Sequence, residues 1–482
     1  MISLKINLFI NNEQVETEQY TEVRDPGRLD EVAGLAAKGT PQHVDAAVKA
    51  AHQAFLCWRK TAVDERIDLI RKAANRLEAG IPGLTPIVSK ENGMLLRFTK
   101  GEIHAAVTVM RHLADLAAAS LQSKRYEDET GWVSVEKVPI GVVAGIVPWN
   151  APIVLTMQKL APALLSGNSI VFKPSPFAPI GVSTAIQMIA DLFPPGVVQV
   201  VLGDADVGSA LNKHPLVRKI SFTGGGATAK YVMKDAADSL KSVHFELGGN
   251  DPAIILDDAD LDKMVPQIVW GAFRRSGQFC FATKRVYVPE RMYEDVYERV
   301  VSIVDQFKIG HQLNEETTFG PLINRSQYEY IKQLTERVKQ SSAKMVELGT
   351  KLQPEQWENG YYLSPVVVRD LQPNDEIVTV EQFGPIMPLI SYRSEDEMLK
   401  MANDTEYGLG SSIWSTDVDR ALCIARRIEA GMTFINGIGQ SALGQRYLPF
   451  GGVKQSGIGR ENSELVFDEY VEYHAINYHK PQ

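Results

Sequence analysis

Short and long apolar stretches alternate along the chain between residues 141 and 249. The short ones, such as "GVVAGIVPW", "SIVFKPS" and "SVHFELGG", are continuous apolar runs typical of buried strands, and the long ones have helical spacing. This alternation predicts βαβ units with a parallel sheet, on which ligands bind beyond the carboxyl ends of the strands. The residues predicted at those ends are Asn150, Lys173, Gly203, Gly224 and Glu246.

The segments on either side extend this pattern. Ahead of it, two helices are predicted between Thr40 and Gly80, with Asp64 and Gly80 as cap residues, and a third between Thr99 and Ser120. After it, a second α/β pattern runs from "DPAIIL" to "GMTFINGI" and predicts a second domain. Four further segments have recognisable patterns. The N-terminus predicts a strand pair with a turn at "NNEQ", and "YEDETGWVSVEKVPIG" predicts a strand or hairpin. Near the other end, "LPFGGVKQSGIGRE" predicts an ordered Gly-rich loop, and the tail "VFDEYVEYHAINY" predicts an exposed strand.

Length and composition narrow the class of protein. A chain of 482 residues is too long for one core, so we expect two or three domains. The formal net charge of -9 argues against nucleic acid or an anionic membrane surface as partner, and no apolar run is long enough for a transmembrane helix. Only three cysteines are present, which favours a reducing, cytoplasmic location without disulfides.

The three cysteines differ in their surroundings. Cys57 and Cys423 lie in stretches with helical periodicity, and both are predicted to pack as small apolar residues. Cys280 instead follows Gly277 and Gln278 in "SGQFC", which breaks the helical pattern. A buried inert thiol is the default interpretation of a single cysteine, so Cys280 is a candidate nucleophile only if partners accompany it.

Glu246 is the candidate partner. It ends a predicted strand in "HFELGGNDP", and the glycines after it permit close approach of other groups to the backbone. A partly buried carboxylate in such a crevice is a candidate general base, although an ion-paired structural glutamate has the same pattern. The acidic run "DDADLD" is more typical of a helix cap than of a metal site, and no metal is predicted.

Seven motifs occur in one order: "GIVPWNAP", "LAPALLSGNSIVFKPSP", "ISFTGG", "FELGGNDP", "SGQFC", "EQFGP" and "PFGGVKQSGIGRE". In this order the chain closely resembles the aldehyde dehydrogenase superfamily over nearly its whole length. The resemblance implies an α/β fold with a Rossmann-type cofactor domain, an α/β catalytic domain and a small β oligomerisation arm, in a homodimer or homotetramer. The implied segments are 1–118 with 140–248, 249–440, and 119–139 with 461–482 respectively.

The resemblance also implies a mechanism. Cys280 would attack the aldehyde carbon to give a thiohemiacetal, which loses hydride to a nicotinamide and becomes a thioester. Glu246 would activate the water that hydrolyses this thioester, and the Asn150 side chain with the Cys280 N–H would form the oxyanion hole. Lys173 would complete the functional set by contacting the adenosine ribose.

The implied cofactor is NAD or NADP. Pro176 stands where many NAD-preferring relatives have a glutamate that binds the ribose hydroxyls, so the repulsion against a 2′-phosphate is missing and use of both cofactors is expected, with NAD slightly favoured. Gly225 replaces a frequent serine of the phosphate turn. The positions that match cofactor contacts in the family are Ile146, Trp149, Lys173, Pro176, Gly203, Gly224, Gly225, Leu247, Glu381 and Phe383.

The implied substrate pocket departs from the aromatic lining that is common in the family. Arg274 takes the place of a frequent aromatic residue, and Arg446 precedes Phe450 in the closing loop. The two arginines favour a polar or carboxylate-bearing aldehyde, unless they form surface salt bridges. The pocket positions are Ala151, Gln158, Arg274, Phe281, Arg446 and Phe450.

Two other functions remain open. An acylating dehydrogenase would pass the thioester to coenzyme A, but many such enzymes lack the base that Glu246 represents. A non-enzymatic structural relative would not need Cys280, Glu246, Asn150 and Lys173 together.

Overall fold

A computed structural model of the protein describes residues 4–439 and 443–481. Its largest element is an eight-stranded sheet whose five central strands are parallel, as the alternating pattern predicted. In spatial order the strands are Gly457–Ile458, Ser242–Glu246, Val217–Thr223, Val142–Val147, Ser169–Pro174, Val198–Val200, Leu8–Ile10 and Glu13–Val15. The carboxyl ends of the central strands therefore lie along one edge of the sheet.

Helices cover the eight-stranded sheet and share one apolar core with it. The predicted cap at Asp64 is wrong, because the helix begins at Val63 and Asp64 lies in its first turn, where a negative charge suits the helix dipole. Gly80 ends that helix as predicted. The helices are Pro41–Trp58, Val63–Ala79, Ile81–Asn92, Leu96–Ser120, Pro152–Leu165, Pro179–Gln187, Ala205–Lys213 and Gly226–Ala237.

A seven-stranded sheet forms the second α/β unit, with one apolar core on each side. In spatial order its strands are Lys344–Glu347, Val366–Arg369, Ile386–Tyr392, Thr283–Pro289, Asp251–Ile255, Gly410–Trp414 and Met432–Ile435. Its helices are Leu261–Phe273, Tyr293–Val304, Arg325–Lys339, Glu376–Thr379, Glu395–Asn403 and Val418–Ala425. The acidic run caps the first of these, since the Asp260 side chain accepts from the Lys263 N–H as N-cap.

Two three-stranded sheets complete the main architecture. The N-terminal one contains Leu4–Ile6, Arg28–Ala37 and Tyr20–Asp25. The other, which we call the tail sheet, contains the hairpin Lys124–Asp128 and Gly131–Pro139, with the tail strand Val471–His479 antiparallel to the second strand. The hairpin and the tail strand agree with the prediction.

The Gly-rich segment before the tail connects the two α/β units. It is ordered, as predicted, and contains the short strands Pro449–Phe450, Gly457–Ile458 and Glu461–Asn462. Its middle strand pairs antiparallel with the end of Ser242–Glu246, so that Gly457 lies opposite Glu246. This pairing brings residues near 460 to the carboxyl edge of the eight-stranded sheet.

The prediction that Cys57 and Cys423 pack as buried apolar residues is wrong, because both are exposed. In the helix Pro41–Trp58 the buried face passes through Phe55 and Trp58, and Cys57 points to solvent. Among the described residues, none of the helices has the length and apolar character needed to cross a membrane.

Candidate active site

Cys280 lies on an irregular turn between the helix Leu261–Phe273 and the strand Thr283–Pro289. The turn is left-handed at three successive residues, with φ of 53° at Arg275, 56° at Ser276 and 73° at Gly277. A Cβ atom at Gly277 would collide with the backbone oxygen of Gly384, so the turn requires glycine there. Because of this turn, Cys280 lies in an irregular segment three residues ahead of the strand Thr283–Pro289 and not inside a helix.

Lys284 anchors the backbone of this turn. Its side chain is only 3% exposed, and its Nζ donates to the carbonyl oxygens of Cys280 at 2.9 Å and Phe279 at 3.2 Å. The same nitrogen lies 3.3 Å from Oε1 of Glu381. A single buried cation thus connects the turn of Cys280 with one of the predicted cofactor residues.

The Cys280 thiol is packed against the small apolar cluster of Leu409, Met432 and Phe450. Burial, reinforced by the nearby charge of Glu246, raises the pKa of the thiol to about 12, whereas the charge of Lys284 acts in the opposite direction. The unliganded site therefore holds a thiol at neutral pH. Chemistry at this sulfur needs a base or a further cation.

Glu246 ends its strand with a buried carboxylate. Both oxygens are shielded from solvent and have no hydrogen-bond partner among the described residues. Burial, together with the negative charge of Glu461, raises the pKa of Glu246 well above its usual range, and the cations Lys159 and Arg460 only partly offset this. An unpaired carboxylate with a raised pKa has the protonation behaviour of a general base rather than of a structural ion pair.

A buried ion pair that sequence reasoning missed lies beside Glu246. Lys159 Nζ donates to Glu461 Oε1 at 2.7 Å, and the two side chains are 0% and 1% exposed. The available signal was a lysine inside the otherwise apolar stretch Pro152–Leu165, since a lysine in a fully buried helix needs a partner. In the sequence, Glu461 is simply the last residue of the Gly-rich motif, and nothing there indicates that it pairs with Lys159.

Asn150 is half-buried just ahead of the helix Pro152–Leu165, and Ala151 is the N-cap residue of that helix. The backbone oxygen of Asn150 accepts from the Arg275 guanidinium at 3.2 Å, which ties it to the turn of Cys280. Asn150 and Cys280 therefore border the same site. The oxyanion role of the Asn150 amide stays a prediction.

The cofactor residues lie along the carboxyl edge of the eight-stranded sheet. Lys173 is buried at 7% exposure, and its Nζ donates to the Pro174 carbonyl at 3.2 Å. Burial lowers the pKa of Lys173 to about 8, although Asp204 and Asp206 favour its charged form. Pro176 is exposed three residues further on. Gly203 lies at the corresponding end of the next strand, with φ of 149°.

The next strand end leads into the helix Gly226–Ala237, whose N-cap is Gly225. No other atom lies within 4 Å of where a Cβ of Gly225 or Gly226 would be, so this helix N-terminus faces open space. Free N–H groups at a helix N-terminus suit the phosphates of a dinucleotide. The donor set and the space at this edge thus fit a nicotinamide dinucleotide.

The remaining cofactor positions lie close to the turn of Cys280. The Trp149 and Phe383 rings meet edge to face, 5.4 Å apart. Glu381 Oε1 accepts from the Gly249 N–H at 3.0 Å, an approach that a Cβ at Gly248 would block. Ile146 is half-buried near the end of its strand, and the Leu247 N–H donates to the Ser456 carbonyl at 3.0 Å.

The predicted pocket residues make different kinds of contact around Cys280. The Phe281 ring contacts those of Phe279 and Phe450 edge to face, at 5.3 and 5.5 Å. The Arg274 guanidinium lies over three aromatic rings, including that of Phe281. Gln158 is buried and donates to Asn462 Oδ1 at 2.9 Å.

Arg446 lies apart from this aromatic group. Its charge acts on His112 of the helix Leu96–Ser120 and, together with burial, lowers the pKa of that imidazole. The structure gives no contact between Arg446 and Arg274 within the described residues. The two arginines predicted to act together are therefore held by different elements.

Comparison with known proteins identifies the family of this chain. The model of the aldehyde dehydrogenase family matches residues 12–476. The chain belongs to the aldehyde dehydrogenase family. An aldehyde dehydrogenase-like protein of Schizosaccharomyces pombe is 33% identical over 476 residues, which cover 98% of this chain and 95% of that protein.

Solved structures show the same family fold. Betaine aldehyde dehydrogenase of Staphylococcus aureus, solved in complex with NAD+, superposes with a TM-score of 0.95 at 28% identity and covers 99% of this chain and 96% of its own. An NADP-dependent enzyme of E. coli has a TM-score of 0.94 at 30% identity, covering 99% of this chain and 98% of its own. The predicted fold class is thereby confirmed, and the chain is an oxidoreductase of this family.

Proposed function

We propose that this aldehyde dehydrogenase oxidises an aldehyde to the free carboxylic acid with NAD or NADP, through a covalent intermediate on Cys280. The observation that carries the proposal is that the thiol of Cys280, on its turn, lies near a buried carboxylate, Glu246, which has no hydrogen-bond partner among the described residues and whose charge acts on the thiol. An inert structural cysteine has no need of such a neighbour. A structural glutamate would be ion-paired or hydrogen-bonded.

In the first step the Cys280 sulfur, as thiolate, attacks the aldehyde carbon. The S–C bond forms, and the carbonyl oxygen becomes an oxyanion that needs donors. The Asn150 amide and the Cys280 N–H are the groups we assign to it, and losing one such donor typically costs about 10²–10³ in rate. Glu246 can take the thiol proton, because burial and the charge of Glu461 raise the pKa of its carboxyl and so make the carboxylate a stronger base.

In the second step the thiohemiacetal carbon gives up a hydride and the sulfur is left in a thioester. The bound nicotinamide supplies the hydride acceptor. We assign Glu381 and Phe383 to hold its ribose and ring, since Lys284 and the Gly249 N–H fix the Glu381 carboxylate beside the turn of Cys280. Lys173 and the N-terminus of the helix Gly226–Ala237 are assigned to the adenosine ribose and the phosphates.

In the third step water hydrolyses the thioester. Glu246 removes a proton from the water, a hydroxyl oxygen bonds to the acyl carbon, and the C–S bond breaks to release the acid and regenerate Cys280. The proton must then leave a buried carboxylate. We assign this transfer to the Lys159–Glu461 pair, because the charges of both residues act on the Glu246 carboxylate.

The choice between NAD and NADP is part of the proposal. Pro176 offers no carboxylate against a 2′-phosphate, and Lys173 is a cation at the adjacent strand end. The similar Staphylococcus aureus enzyme binds NAD+, and the similar E. coli enzyme is NADP-dependent. We expect this protein to use both, with NAD slightly favoured.

We also propose the domain division of the sequence analysis, a cytoplasmic location, and a homodimer or homotetramer. The tail sheet supports the oligomer, because its outer strand Lys124–Asp128 is exposed at all five residues. The substrate we propose carries a polar or carboxylate group.

One assay separates the proposed reaction from its two alternatives. Purified protein is given a panel of aldehydes with NAD or NADP, with and without coenzyme A, and formation of reduced cofactor and free acid is followed. We expect acid formation without coenzyme A. A strict requirement for coenzyme A would indicate the acylating reaction, and no turnover with any aldehyde would contradict catalysis.

A further inference from the structure

Arg274 carries a half-buried charge that has no ion-pair partner among the described residues. The residue is half-buried, and its Nε is shielded from solvent with no hydrogen-bond partner among the described residues. Burial lowers the pKa of its guanidinium to about 9, and among the described residues the charges that act on it are those of Arg275 and the Cys280 thiol. An uncompensated buried charge is costly, so such a group is normally paired.

Three aromatic rings fix the orientation of this guanidinium. Its central carbon lies 4.1 Å from the Trp270 ring centre, 4.3 Å from that of Phe279 and 5.1 Å from that of Phe281. Contacts of this kind hold a guanidinium by its face and leave its in-plane N–H groups free to bind an anion. The three rings therefore orient a planar hydrogen-bond donor but do not supply the acceptor that its N–H groups need.

The Arg274 guanidinium lies close to Cys280, the proposed nucleophile. Phe281 directly follows Cys280, and its ring contacts both Phe279 of the aromatic group and Phe450 of the cluster that packs the thiol. The neighbouring Arg275 is already engaged, because it donates to the Asn150 carbonyl and its charge acts on Glu102. Arg446 also has a shielded Nε without a hydrogen-bond partner among the described residues, but its guanidinium lies 5.7 Å from the centre of the Tyr447 ring and its charge acts on His112. Within the described part of the chain, Arg274 is thus a cation without an ion-pair partner whose charge interacts with Cys280.

We propose that Arg274 binds the carboxylate of the substrate, and that the substrate class is an oxo-carboxylate with an aldehyde at one end and a carboxylate at the other. This inference rests on the proposed function, since it assigns the far end of the molecule that Cys280 attacks. A planar guanidinium suits a carboxylate because it offers two parallel N–H groups. The aromatic rings around it suit the methylene chain between the two ends.

The test compares ω-oxo carboxylates of increasing chain length, such as 4-oxobutanoate, each with its methyl ester. Reduced cofactor is measured for wild type, Arg274→Gln and Arg274→Lys. The matched control is Arg66→Gln, because Arg66 is also buried with unpaired Nε and Nη1 atoms but lies in the helix Val63–Ala79. Thermal melting of each variant establishes that it is folded.

Wild type should prefer one acid over its ester, and Arg274→Gln should lower kcat/KM for that acid by about 30- to 1,000-fold, the range for losing one partner of a buried charge pair. The ester should change less than about threefold, within the small effect of losing an uncharged contact. Arg274→Lys should recover part of the loss, and Arg66→Gln should retain the wild-type preference. Succinate should protect Cys280 from iodoacetamide in wild type but not in Arg274→Gln.

Two results would overturn the inference. Equal losses for acid and ester in a folded Arg274→Gln protein would show that Arg274 acts on the Cys280 thiol and not on the substrate. A wild-type protein that oxidises the esters but prefers none of the acids would exclude the substrate class and leave the proposed function intact. Failure to oxidise any aldehyde would contradict the proposed function itself.

Discussion

At the scale of single residues, the site depends on ionisable groups that burial has moved from their usual pKa values. Burial raises the pKa of both Cys280 and Glu246 and lowers that of Lys173. Glu246 must be ionised to act as a base, so its raised pKa moves the acid limb of the pH–rate profile upward from the range of an ordinary carboxyl. Groups with such shifts are typical of functional sites.

Lys284 should favour the thiolate of Cys280. Its Nζ contacts the Cys280 carbonyl and its charge lowers the pKa of the thiol, whereas the charges of Glu246, Asp251 and Glu381 raise it. Lys284→Met should therefore raise the pKa of Cys280, by about one unit or more for the loss of a nearby cation. The pH dependence of alkylation by iodoacetamide measures this pKa, and the rate at fixed pH should fall about tenfold.

Lys284→Arg provides the control, since it keeps the cation and should keep the alkylation profile close to that of wild type. The KM for NAD should rise in Lys284→Met, because Glu381 loses its ion-pair partner. An unchanged alkylation profile in a folded Lys284→Met protein would restrict Lys284 to a structural role.

Lys173 gives the choice of cofactor a pH dependence. Its pKa is lowered to about 8, so its positive charge is present below that pH and is lost as the pH rises through it. Only the charged form pairs with a 2′-phosphate, so the ratio of kcat/KM for NADP to that for NAD should fall between about pH 7 and pH 9. Steady-state kinetics with both cofactors measures the ratio.

Two variants control this prediction. Lys173→Met should make the ratio independent of pH, and Pro176→Glu should lower it at every pH by adding a carboxylate near the phosphate. If wild type rejects NADP by more than about a thousandfold, near 4 kcal/mol, another group excludes the phosphate.

The catalytic residues themselves could be predicted from the sequence, whereas the groups that surround them in the fold could not. The motifs place Cys280 and Glu246, but their burial and mutual charge effects depend on neighbours from both α/β units. Arg274 was predicted as a pocket residue, yet the three rings that orient it come from a helix and from the turn of Cys280. Lys159 and Glu461, 302 residues apart, were missed because only the fold brings them together.

At the scale of elements, strong periodicity predicted the helices and strands well. The helix Ile81–Asn92 was missed because its sequence, "IPGLTPIVSKEN", contains two prolines and a glycine, which usually mark loops. One of the prolines lies in its first turn, where it costs no hydrogen bond. The pairing of Gly457–Ile458 with the end of Ser242–Glu246 could not be predicted, since two-residue strands carry no periodicity.

The start of the helix Gly226–Ala237 offers a test of the phosphate site. Gly225 is its N-cap with open space around a Cβ, whereas a Cβ at Gly224 would lie 2.6 Å from the Phe222 ring. Gly225→Ser should fold normally and lower the KM for NAD a few-fold, since serine is a good N-cap and adds a hydroxyl to the phosphate site. Gly224→Ser should lower the melting temperature. Equal destabilisation by the two changes would contradict this account of the turn.

At the scale of the whole molecule, two sheets meet at the catalytic groups, and unpaired sheet edges remain elsewhere. The strand Met432–Ile435 pairs on one side only, and so do the outer strands of the tail sheet, within the described part of the chain. The tail strand Val471–His479 is mostly exposed. Such edges offer unpaired backbone groups with which a strand of another chain can pair.

Light scattering should therefore give the mass of a dimer or a tetramer, against a chain mass of 53.3 kDa. The mass should hold through a tenfold dilution, because sheet edges joined between subunits bury large interfaces. A monomer at working concentration would contradict the oligomerisation arm.

The central claim is that Cys280 carries an acyl group that Glu246 helps to remove. The most direct measurement is the mass of the Glu246→Gln protein after mixing with aldehyde and NAD, followed by mapping of the adduct. The account predicts an acyl group on Cys280 and one burst of reduced cofactor, slower than in wild type because the variant lacks the base for the thiol proton, with neither in Cys280→Ala. Reduced cofactor without any adduct on Cys280, or substantial turnover by Cys280→Ala, would contradict it.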